Sequence, residues 1–205
     1  MTIRPGDEWG SLAEAPRETV WFSDEASLGA FLEREGCVRP VGLTGGDLHR
    51  AAGRPTKTIR ASIDLLEVRF GRRQNNLEEL RLCISFVTIG SCWKNEPMTL
   101  LSNSGSVAGD EWFPRSHPND GHCEVAEFAR EMGVRARWMA RQRARRGEPT
   151  THPLITTSAF SVWEWSGPSR RLVIDRREMG RVSVVHAMIK PDALTVFLGN
   201  PSTSD

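Results

Sequence analysis

The sequence predicts a mainly β fold, a sandwich or barrel-like domain with a small α/β appendage at its N-terminal end. From Ile59 onward, apolar and polar residues alternate in many short segments separated by turn residues, which is typical of antiparallel strands. Residues 19–43 instead have the pattern of one strand, one helix and a second strand. We therefore divide the chain into a reduced β-α-β segment with a glycine-rich loop, 1–55, and a β-sandwich domain, 56–205.

Local signals define the N-terminal segment. Thr19 to Phe22 is a short apolar run of strand type, and Ser23 is placed to cap a helix over 24–35. Gly36 ends that helix, and 38–43 returns to strand. A single unit of this kind cannot bury both faces of a sheet.

The β domain is predicted to contain strands of unequal length. Residues 59–70 alternate with period two, but the apolar phase changes at Leu66, which suggests a β-bulge. The turn chemistry of Pro191 and Asp192 predicts a hairpin between the last two strands. The other strands are expected at 80–89, 99–102, 123–128, 155–165, 172–174, 181–190 and 193–198.

One strongly basic helix, at 130–146, interrupts the β pattern. It contains seven arginines and one acidic residue, Glu131. Arg137, Arg141 and Arg145 fall near one side and are candidate ligands for a lipid headgroup, a phosphorylated small molecule, or nucleic acid without sequence preference. A solvated basic face is the alternative, and aromatic residues do not interleave with the arginines as single-strand binding requires.

Length and composition restrict the classes of function. A chain of 205 residues can bury one full core. Its 27 Lys and Arg nearly balance its 26 Asp and Glu, so the overall charge gives no reason to expect a nucleic-acid or membrane partner, and any such attraction must be local. The chain shows no signal region and no apolar stretch of membrane-spanning length, so we expect a cytoplasmic protein without a transmembrane segment.

The cysteines indicate neither a disulfide framework nor a redox motif. Cys37, Cys83, Cys92 and Cys123 have no CxxC spacing, and we interpret them as small buried apolar residues. A zinc site at His117, His122 and Cys123 would need a fourth ligand that the sequence does not supply.

A glycine-rich loop, Thr44-Gly45-Gly46-Asp47, follows the second predicted strand. Glycines let backbone N–H groups approach a phosphate without obstruction by side chains, and this loop leads into a helix start. Glycines alone are a weak signal. The loop is nevertheless a candidate nucleotide-binding site.

A polar turn, Pro118-Asn119-Asp120-Gly121, lies between apolar segments in the middle of the chain. Such a turn is either a plain connection or a place where carbonyls and a carboxylate surround a cation, since Mg²⁺ prefers hard oxygen ligands. Spacing alone favours the plain connection.

The glycine-rich loop and the polar turn, in this order along the chain, resemble motifs of the diacylglycerol kinase family of bacterial lipid kinases, within the NAD kinase-like superfamily. Residues 40–55 are similar to the family's second nucleotide loop, with Thr44, Gly45 and Asp47 kept and Gly46 in place of Asn. Residues 114–125 are similar to its Asp-Asp-Gly-x-x-Asp-Val motif, in which Asp120 is kept while Asn119 and Glu124 replace the other two carboxylates.

The resemblance implies both an architecture and a cofactor. Residues 56–205 would be the family's C-terminal β-sandwich, and 1–55 a shortened remnant of its nucleotide domain. A structural Mg²⁺ would be held by Asp120 and by the backbone carbonyls of His117 and His122.

The sequence departs from the family where catalysis would occur. The first phosphate loop, Gly-Gly-Asp-Gly-Thr, is replaced by Ser23-Asp24-Glu25-Ala26, whose carboxylates would repel a triphosphate. The family's Asp-Gly-Glu, which supplies the general base for the lipid hydroxyl, corresponds to Asp175-Arg176-Arg177. Asp175 is thus the candidate base, and Glu178 the candidate substitute for the missing glutamate. An Asp beside two arginines also fits a surface ion pair.

Three hypotheses about function remain open. The first is a lipid kinase-like protein with weak or no catalysis, which binds a lipid or a phosphorylated small molecule and is not expected to bind ATP. The second is an active ATP-dependent lipid kinase that uses Asp175 as base, the Thr44 to Asp47 loop for nucleotide and Mg²⁺ at Asp120. The third is a scaffold whose sandwich pairs with itself as a homodimer or with a partner chain.

Overall fold

The computed structural model describes residues 10–73, 76–91 and 96–200, and its main feature is one large, mostly antiparallel sheet. The predicted mainly β fold with an α/β appendage is confirmed. The strands are β1 (Ser11–Leu12), β2 (Val20–Phe22), β3 (Val41–Leu43), β4 (Ile59–Gly71), β5 (Glu79–Cys83), β6 (Phe86–Ile89), β7 (Met98–Ser102), β8 (Ser106–Val107), β9 (Asp110–Glu111), β10 (Cys123–Phe128), β11 (Ile155–Phe160), β12 (Val162–Ile174) and β13 (Arg177–Leu198). The helices are α1 (Glu25–Glu35), α2 (Gly46–Ala51) and α3 (Val134–Arg145).

The long strand β13 organises this sheet. Its first part pairs with β12, and its second part pairs with β4, both antiparallel. From β12 the sheet continues through β6, β7 and β10 to β11. The last residues of β13 pair in parallel with β3, which pairs in parallel with β2. The predicted β-α-β unit therefore exists and extends the same sheet.

Buried apolar residues form three cores. The central core, between the curved strands, contains Leu66, Val68, Phe70, Cys83, Val87, Ile89, Leu101, Cys123, Val125, Leu172, Ile174, Val182, Val185, Ala187 and Ile189. The N-terminal core, beneath α1 and α2, contains Leu28, Leu32, Val41, Leu43, Leu48, Ala61, Ile63, Leu65, Ile84, Leu194, Val196 and Leu198. The α3 core contains Phe86, Met98, Leu100, Val107, Trp112, Ala126, Phe128, Met132, Ala140 and Ala144.

The change of phase within β4 marks its passage from one core to another. Residues up to Leu65 pack in the N-terminal core, and residues from Leu66 pack in the central core. The irregularity in this strand pair lies in β13, between Lys190 and Leu194, opposite the point where the phase changes.

The predicted hairpin at Pro191 and Asp192 is wrong, because β13 continues through these residues as one bulged strand. Asp192 has a φ of 52°, and its N–H donates to Oδ1 of the buried Asp64 in β4 over 2.8 Å. Because this hydrogen bond satisfies the bulged backbone, the turn residues produce an interruption in pairing instead of a reversal.

Two of the predicted strands are each divided in the structure. The segment 80–89 forms β5 and β6 with a break at Ile84 and Ser85, whose N–H groups donate to the Asp175 carboxylate and not to a neighbouring strand. The segment 155–165 is interrupted at Ser161, between β11 and β12.

The helix ends also differ from the prediction. Asp24, and not Ser23, caps α1, because its Oδ1 accepts the Ser27 N–H over 2.8 Å. The basic helix α3 begins at Val134 and buries Arg137 together with Ala140 and Ala144. None of the helices in the described residues combines the length and the apolar character that crossing a membrane requires.

The cysteines agree with the prediction in part. Cys83 and Cys123 are buried, and burial raises the pKa of each thiol well above its usual value. Cys37 is exposed, and Cys92 lies outside the described residues.

Candidate functional site

Two of the segments selected from sequence meet at one buried place, where Glu25, Asp47 and Asp175 form a carboxylate cluster. Glu25 begins α1, Asp47 lies in the first turn of α2, and Asp175 lies in the turn between β12 and β13. Each of these residues is at most 1% exposed. The glycine-rich loop and the candidate base thus come together, as the resemblance implies, but a third acid joins them.

Asp175 is held by backbone amides. Its carboxylate accepts the N–H groups of Ile84, Ser85 and Phe86 over 2.7, 2.9 and 2.9 Å. Burial raises the pKa of the carboxyl, and the three amide hydrogen bonds oppose that effect. The expectation of a surface ion pair is therefore wrong. A base must also reach its substrate, and Asp175 is enclosed in this conformation, so its catalytic role stays a prediction.

Glu25 occupies the start of the glycine-rich loop. Its Oε1 accepts the Leu48 N–H over 2.7 Å, the third amide of α2, and so caps that helix from a different helix. The carboxylate also lies against Gly46, whose φ is 93° and where a Cβ atom would come within 2.2 Å of Oε2. Burial first, and then the nearby Asp175 charge, raise the pKa of Glu25 from 4.5 to about 7.

The rest of the loop is also in contact with its own chain. Thr44 donates its N–H and its hydroxyl to the carbonyl of Phe22 over 2.9 and 3.2 Å. A Cβ atom at Gly45 would be 2.5 Å from the Ser23 carbonyl oxygen. The glycines at 45 and 46 are therefore needed for a close approach to the segment from Ser23 to Glu25.

Two arginines connect the turn of Asp175 to the N-terminal helices. Arg176 lies 3.4 Å from Asp47 in α2, and Arg177 pairs with Glu33 in α1 over 2.9 Å. Burial raises the pKa of Asp47, and Arg176 counteracts this effect. At the positions where the family has Gly and Glu, this chain thus has residues that bind its own helices.

Glu178 lies outside the cluster. It is exposed and forms a two-point ion pair with Arg171, with both N–O distances 2.9 Å, and the hydrogen bonds from Arg171 lower its pKa. In this position it does not face Asp175's buried side chain, and its role as a substitute for the missing glutamate stays a prediction.

The turn at 118–121 is organised by Asp64, a residue that the sequence analysis did not select. The Asp64 carboxylate accepts the N–H of Gly121 over 2.7 Å, and its own N–H donates to the Pro118 carbonyl. Burial raises the pKa of Asp64, while the amide hydrogen bonds oppose this. An Asp in an alternating strand carries no local signal for such a role, because its partners come from distant segments.

The three residues of the predicted Mg²⁺ site have other described contacts. Asp120 Oδ1 accepts the His122 N–H over 2.9 Å, and His117 Nδ1 accepts the Asn119 N–H over 3.2 Å. Among the described residues, no group of three or more His, Cys, Asp or Glu side chains is arranged to hold a metal ion. The side chains present thus do not form a metal site by themselves, and Mg²⁺ at the backbone carbonyls stays a prediction from resemblance.

The three arginines selected on the basic helix all contact other residues of the chain, but of the three only Arg137 is buried. Arg137 is buried and donates to the carbonyls of Met132, Ser91 and Ala129 over 2.8, 3.2 and 3.1 Å. Arg141 and Arg145 share the single carboxylate of Asp110, at 2.6 and 3.1 Å. Two guanidinium groups around one carboxylate leave one excess positive charge. Their binding of an external anion stays a prediction.

A cavity of about 200 Å³ lies beside these arginines. Its apolar wall comes from the α3 core and includes Met98, Leu100, Val107 and Trp112. Its polar residues include Arg137, Arg141, Asp110 and Arg171, and Val134 and Trp138 of α3 also line it. An apolar cavity with guanidinium groups at one side suits a molecule that has an apolar body and an anionic group.

A second, wider groove lies on the other side of Trp112 and holds Glu124, Ser116 and His152. Ser116 donates its hydroxyl to Glu124, and burial raises the pKa of Glu124 to about 7. The family motif drew attention to Glu124, but the groove itself has no signal in the sequence.

Comparisons with known proteins find similarity in fold but no match in sequence. No family model matches the sequence, and a search of characterised proteins gives no match either. The crystal structure of a diacylglycerol kinase from Bacillus anthracis str. Sterne aligns with a TM-score of 0.62 and 12% sequence identity, over 90% of this chain and 77% of that chain. A protein from the same strain that is assigned as a diacylglycerol kinase aligns with a TM-score of 0.61 and 13% identity, over the same shares of the two chains.

This chain has the diacylglycerol kinase fold. The resemblance inferred from 40–55 and 114–125 is thus supported at the level of fold. Within the diacylglycerol kinase fold, the loop at Thr44 and the turn of Asp175 meet directly. The turn at Asp120 is linked to them through Asn103, whose amide donates to the carbonyls of Asp64 and Ile84.

We predict that Glu25 makes stability fall as pH rises. Because the folded state binds its proton more tightly than the unfolded state, the free energy of unfolding decreases between about pH 4.5 and about pH 7. Glu25→Gln removes this contribution. Relative to the parent, the variant should gain about 1.4 kcal/mol per pH unit over that interval. Urea unfolding at several pH values measures this, with Glu35→Gln as the control on α1, and parallel curves for parent and Glu25→Gln would contradict it.

We also predict that Asp64 maintains the turn at 118–121. Asp64→Asn should reduce the free energy of unfolding by about 1–3 kcal/mol, because one of the two partly buried N–H groups that Asp64 accepts loses its acceptor. Asp120→Asn, at a more exposed position, should reduce the free energy of unfolding by less. Melting curves with added Mg²⁺ test the metal site separately, because a Mg²⁺-dependent rise in the parent's melting temperature that Asp120→Ala abolishes would establish it.

Proposed function

We propose that this protein is a lipid kinase-like binding protein that does not transfer phosphate and that binds an anionic amphiphile in the cavity beside α3. The observation that carries the first half is the position of Glu25. Its carboxylate sits on the Leu48 N–H and against Gly46, the place where the glycine-rich loop would receive a phosphate. An internal acid thus takes the hydrogen bond that a nucleotide would need.

The charge of the acidic residues around the loop also opposes binding of a phosphate. A carboxylate about 4 Å from a phosphate costs about 1–4 kcal/mol between bulk water and the surface of a protein. Asp47 and Asp175 lie in the same buried cluster, so the loop faces three acidic groups. Arg176 is 3.4 Å from Asp47 and balances part of that charge. We infer that the site repels a triphosphate, most strongly above about pH 7, where Glu25 is ionised.

The cavity beside α3 supports the second half of the proposal. Leu100 and Trp112 are buried in the α3 core and form part of the cavity wall, so an apolar ligand group placed there would be removed from water. Arg141 and Arg145 supply one positive charge beyond that of Asp110. An anionic head with an apolar chain matches both features.

The active-kinase hypothesis has one observation in its favour, which is that the Thr44 to Asp47 loop and Asp175 meet in space. For that hypothesis Glu25 would have to leave its helix-capping position and Asp175 would have to become accessible. The scaffold hypothesis is separated from the other two by measurement of the protein's size in solution.

We predict no ATP binding in the micromolar range by isothermal titration calorimetry, with or without Mg²⁺. The reason is that Glu25 already occupies the loop. A micromolar affinity that Gly45→Val destroys would overturn the proposal. ATP-dependent phosphorylation of diacylglycerol, retained in Glu178→Gln and lost in both Asp175→Asn and Asp175→Ala, would establish the active kinase instead.

We further predict that a short-chain phosphatidic acid, below its micelle concentration, binds the protein more tightly than the diacylglycerol with the same chains. Thr88 lines the cavity, so Thr88→Phe should fill it and weaken binding at least about tenfold, or roughly 1.4 kcal/mol. Thr157→Phe, at an exposed position on β11, is the matched control. Equal affinity for the two lipids, or equal binding by the two variants, would contradict the cavity as the site.

A further inference from the structure

The outward side of α3 has an unusual composition for a helix on a protein surface. Val134, Trp138 and Met139 are 46%, 52% and 50% exposed, although each is a large apolar residue. The same helix buries Arg137 on its inner side. It therefore has a charged residue inside and large apolar residues outside, the reverse of an ordinary surface helix. On the inner side, the Arg137 guanidinium donates to three backbone carbonyls.

Arginines surround these three apolar side chains. Arg130, Arg135 and Arg143 are exposed, and none of them forms an ion pair with a described residue. By the 100° spacing of a helix, residues 135, 138, 139, 142 and 146 project from the side opposite to the buried residues. Val134 and Arg143 lie at the two edges of that side. This surface, which we name the α3 face, therefore combines a tryptophan and two aliphatic chains with unpaired positive charge.

We propose that the α3 face binds the surface of an anionic phospholipid bilayer. A helix that lies in the plane of the bilayer interface places tryptophan and aliphatic side chains at the headgroup boundary, while its arginines contact anionic headgroups. Acidic residues would oppose this, and α3 contains none. Charge complementarity thus favours a bilayer of negative surface charge over a neutral one.

The position of the cavity gives this surface a further consequence. Val134 and Trp138 belong both to the α3 face and to the cavity lining. Binding of the α3 face would therefore bring one side of the cavity to the bilayer. The bilayer contact itself does not depend on the proposed ligand, because the exposed residues and charges are present whether or not the cavity is filled.

The test is flotation of the whole protein with unilamellar vesicles made of phosphatidylcholine alone or of phosphatidylcholine with phosphatidylglycerol. We expect binding to the anionic vesicles, weak binding to the neutral ones, and a decrease in binding as salt is added. Arg135→Gln with Arg143→Gln should weaken binding about 30-fold, since each charge near an anionic surface contributes about 1 kcal/mol. Arg39→Gln with Arg60→Gln removes two exposed arginines from another groove and is the matched control.

The apolar part of the surface needs its own variants. Trp138→Ser with Met139→Ser should also weaken vesicle binding at least about tenfold, while Trp138→Phe should retain most of it. Val162→Ser removes a comparably exposed apolar residue on β12 and is the control. Circular dichroism and thermal unfolding verify that the surface variants fold like the parent.

Three results would overturn the proposal. The first is equal binding to neutral and anionic vesicles, and the second is equal binding by the α3 variants and their controls. The third is failure of the parent to bind vesicles. Self-association that Trp138→Ser with Met139→Ser abolishes, without vesicle binding, would assign the α3 face to a second copy of the chain. Loss of cavity binding in Thr88→Phe with unchanged vesicle binding would separate the two sites.

Discussion

The Asp175 carboxylate links segments that are far apart in the sequence. It lies in a two-residue turn whose residues, Asp175 and Arg176, both have positive φ angles. From there it accepts three consecutive N–H groups at the break between β5 and β6. Without this acceptor, three buried amides would have no described partner at that break, each at a cost of about 1–3 kcal/mol. The division of a predicted continuous strand into β5 and β6 is thus a consequence of one carboxylate.

Around Asp175, residues that depart from the family's motifs make contacts within the chain. Glu25 caps α2, Arg176 approaches Asp47, and Arg177 binds Glu33. The first contact joins α1 to α2, and the two arginine contacts join these helices to the β12–β13 turn, so the residues that depart from the family's motifs contribute to the assembly of the fold. In the proposed function, the same residues also keep a phosphate out of the loop, so the stability of this interface and the proposed absence of nucleotide binding would have a common physical origin.

Helix α3 shows how a buried arginine changes the surface of a protein. Arg137 replaces the apolar residue expected on the inner side of a helix and satisfies three carbonyls there. Since the arginine is inside, part of the apolar character of the helix is left outside, at Trp138 and Met139. The helical periodicity correctly indicated a helix, but it placed Arg137 with Arg141 and Arg145 on a ligand-facing or solvated side. Only the packing on Met132 and Ala129 determines which side faces in.

The sequence by itself determined the fold class, the β-α-β unit and most of the strands, because alternation and turn residues are local properties that follow from backbone geometry. The motif at 40–55 and the Asp at 175 also identified two segments that do meet. Only the tertiary structure decided that Asp64 holds the turn at Asp120, that Pro191 and Asp192 form a bulge, and that Glu25 fills the glycine-rich loop. Each of these depends on a hydrogen bond between residues 23 to 128 positions apart, and such a pairing leaves no trace in the local sequence.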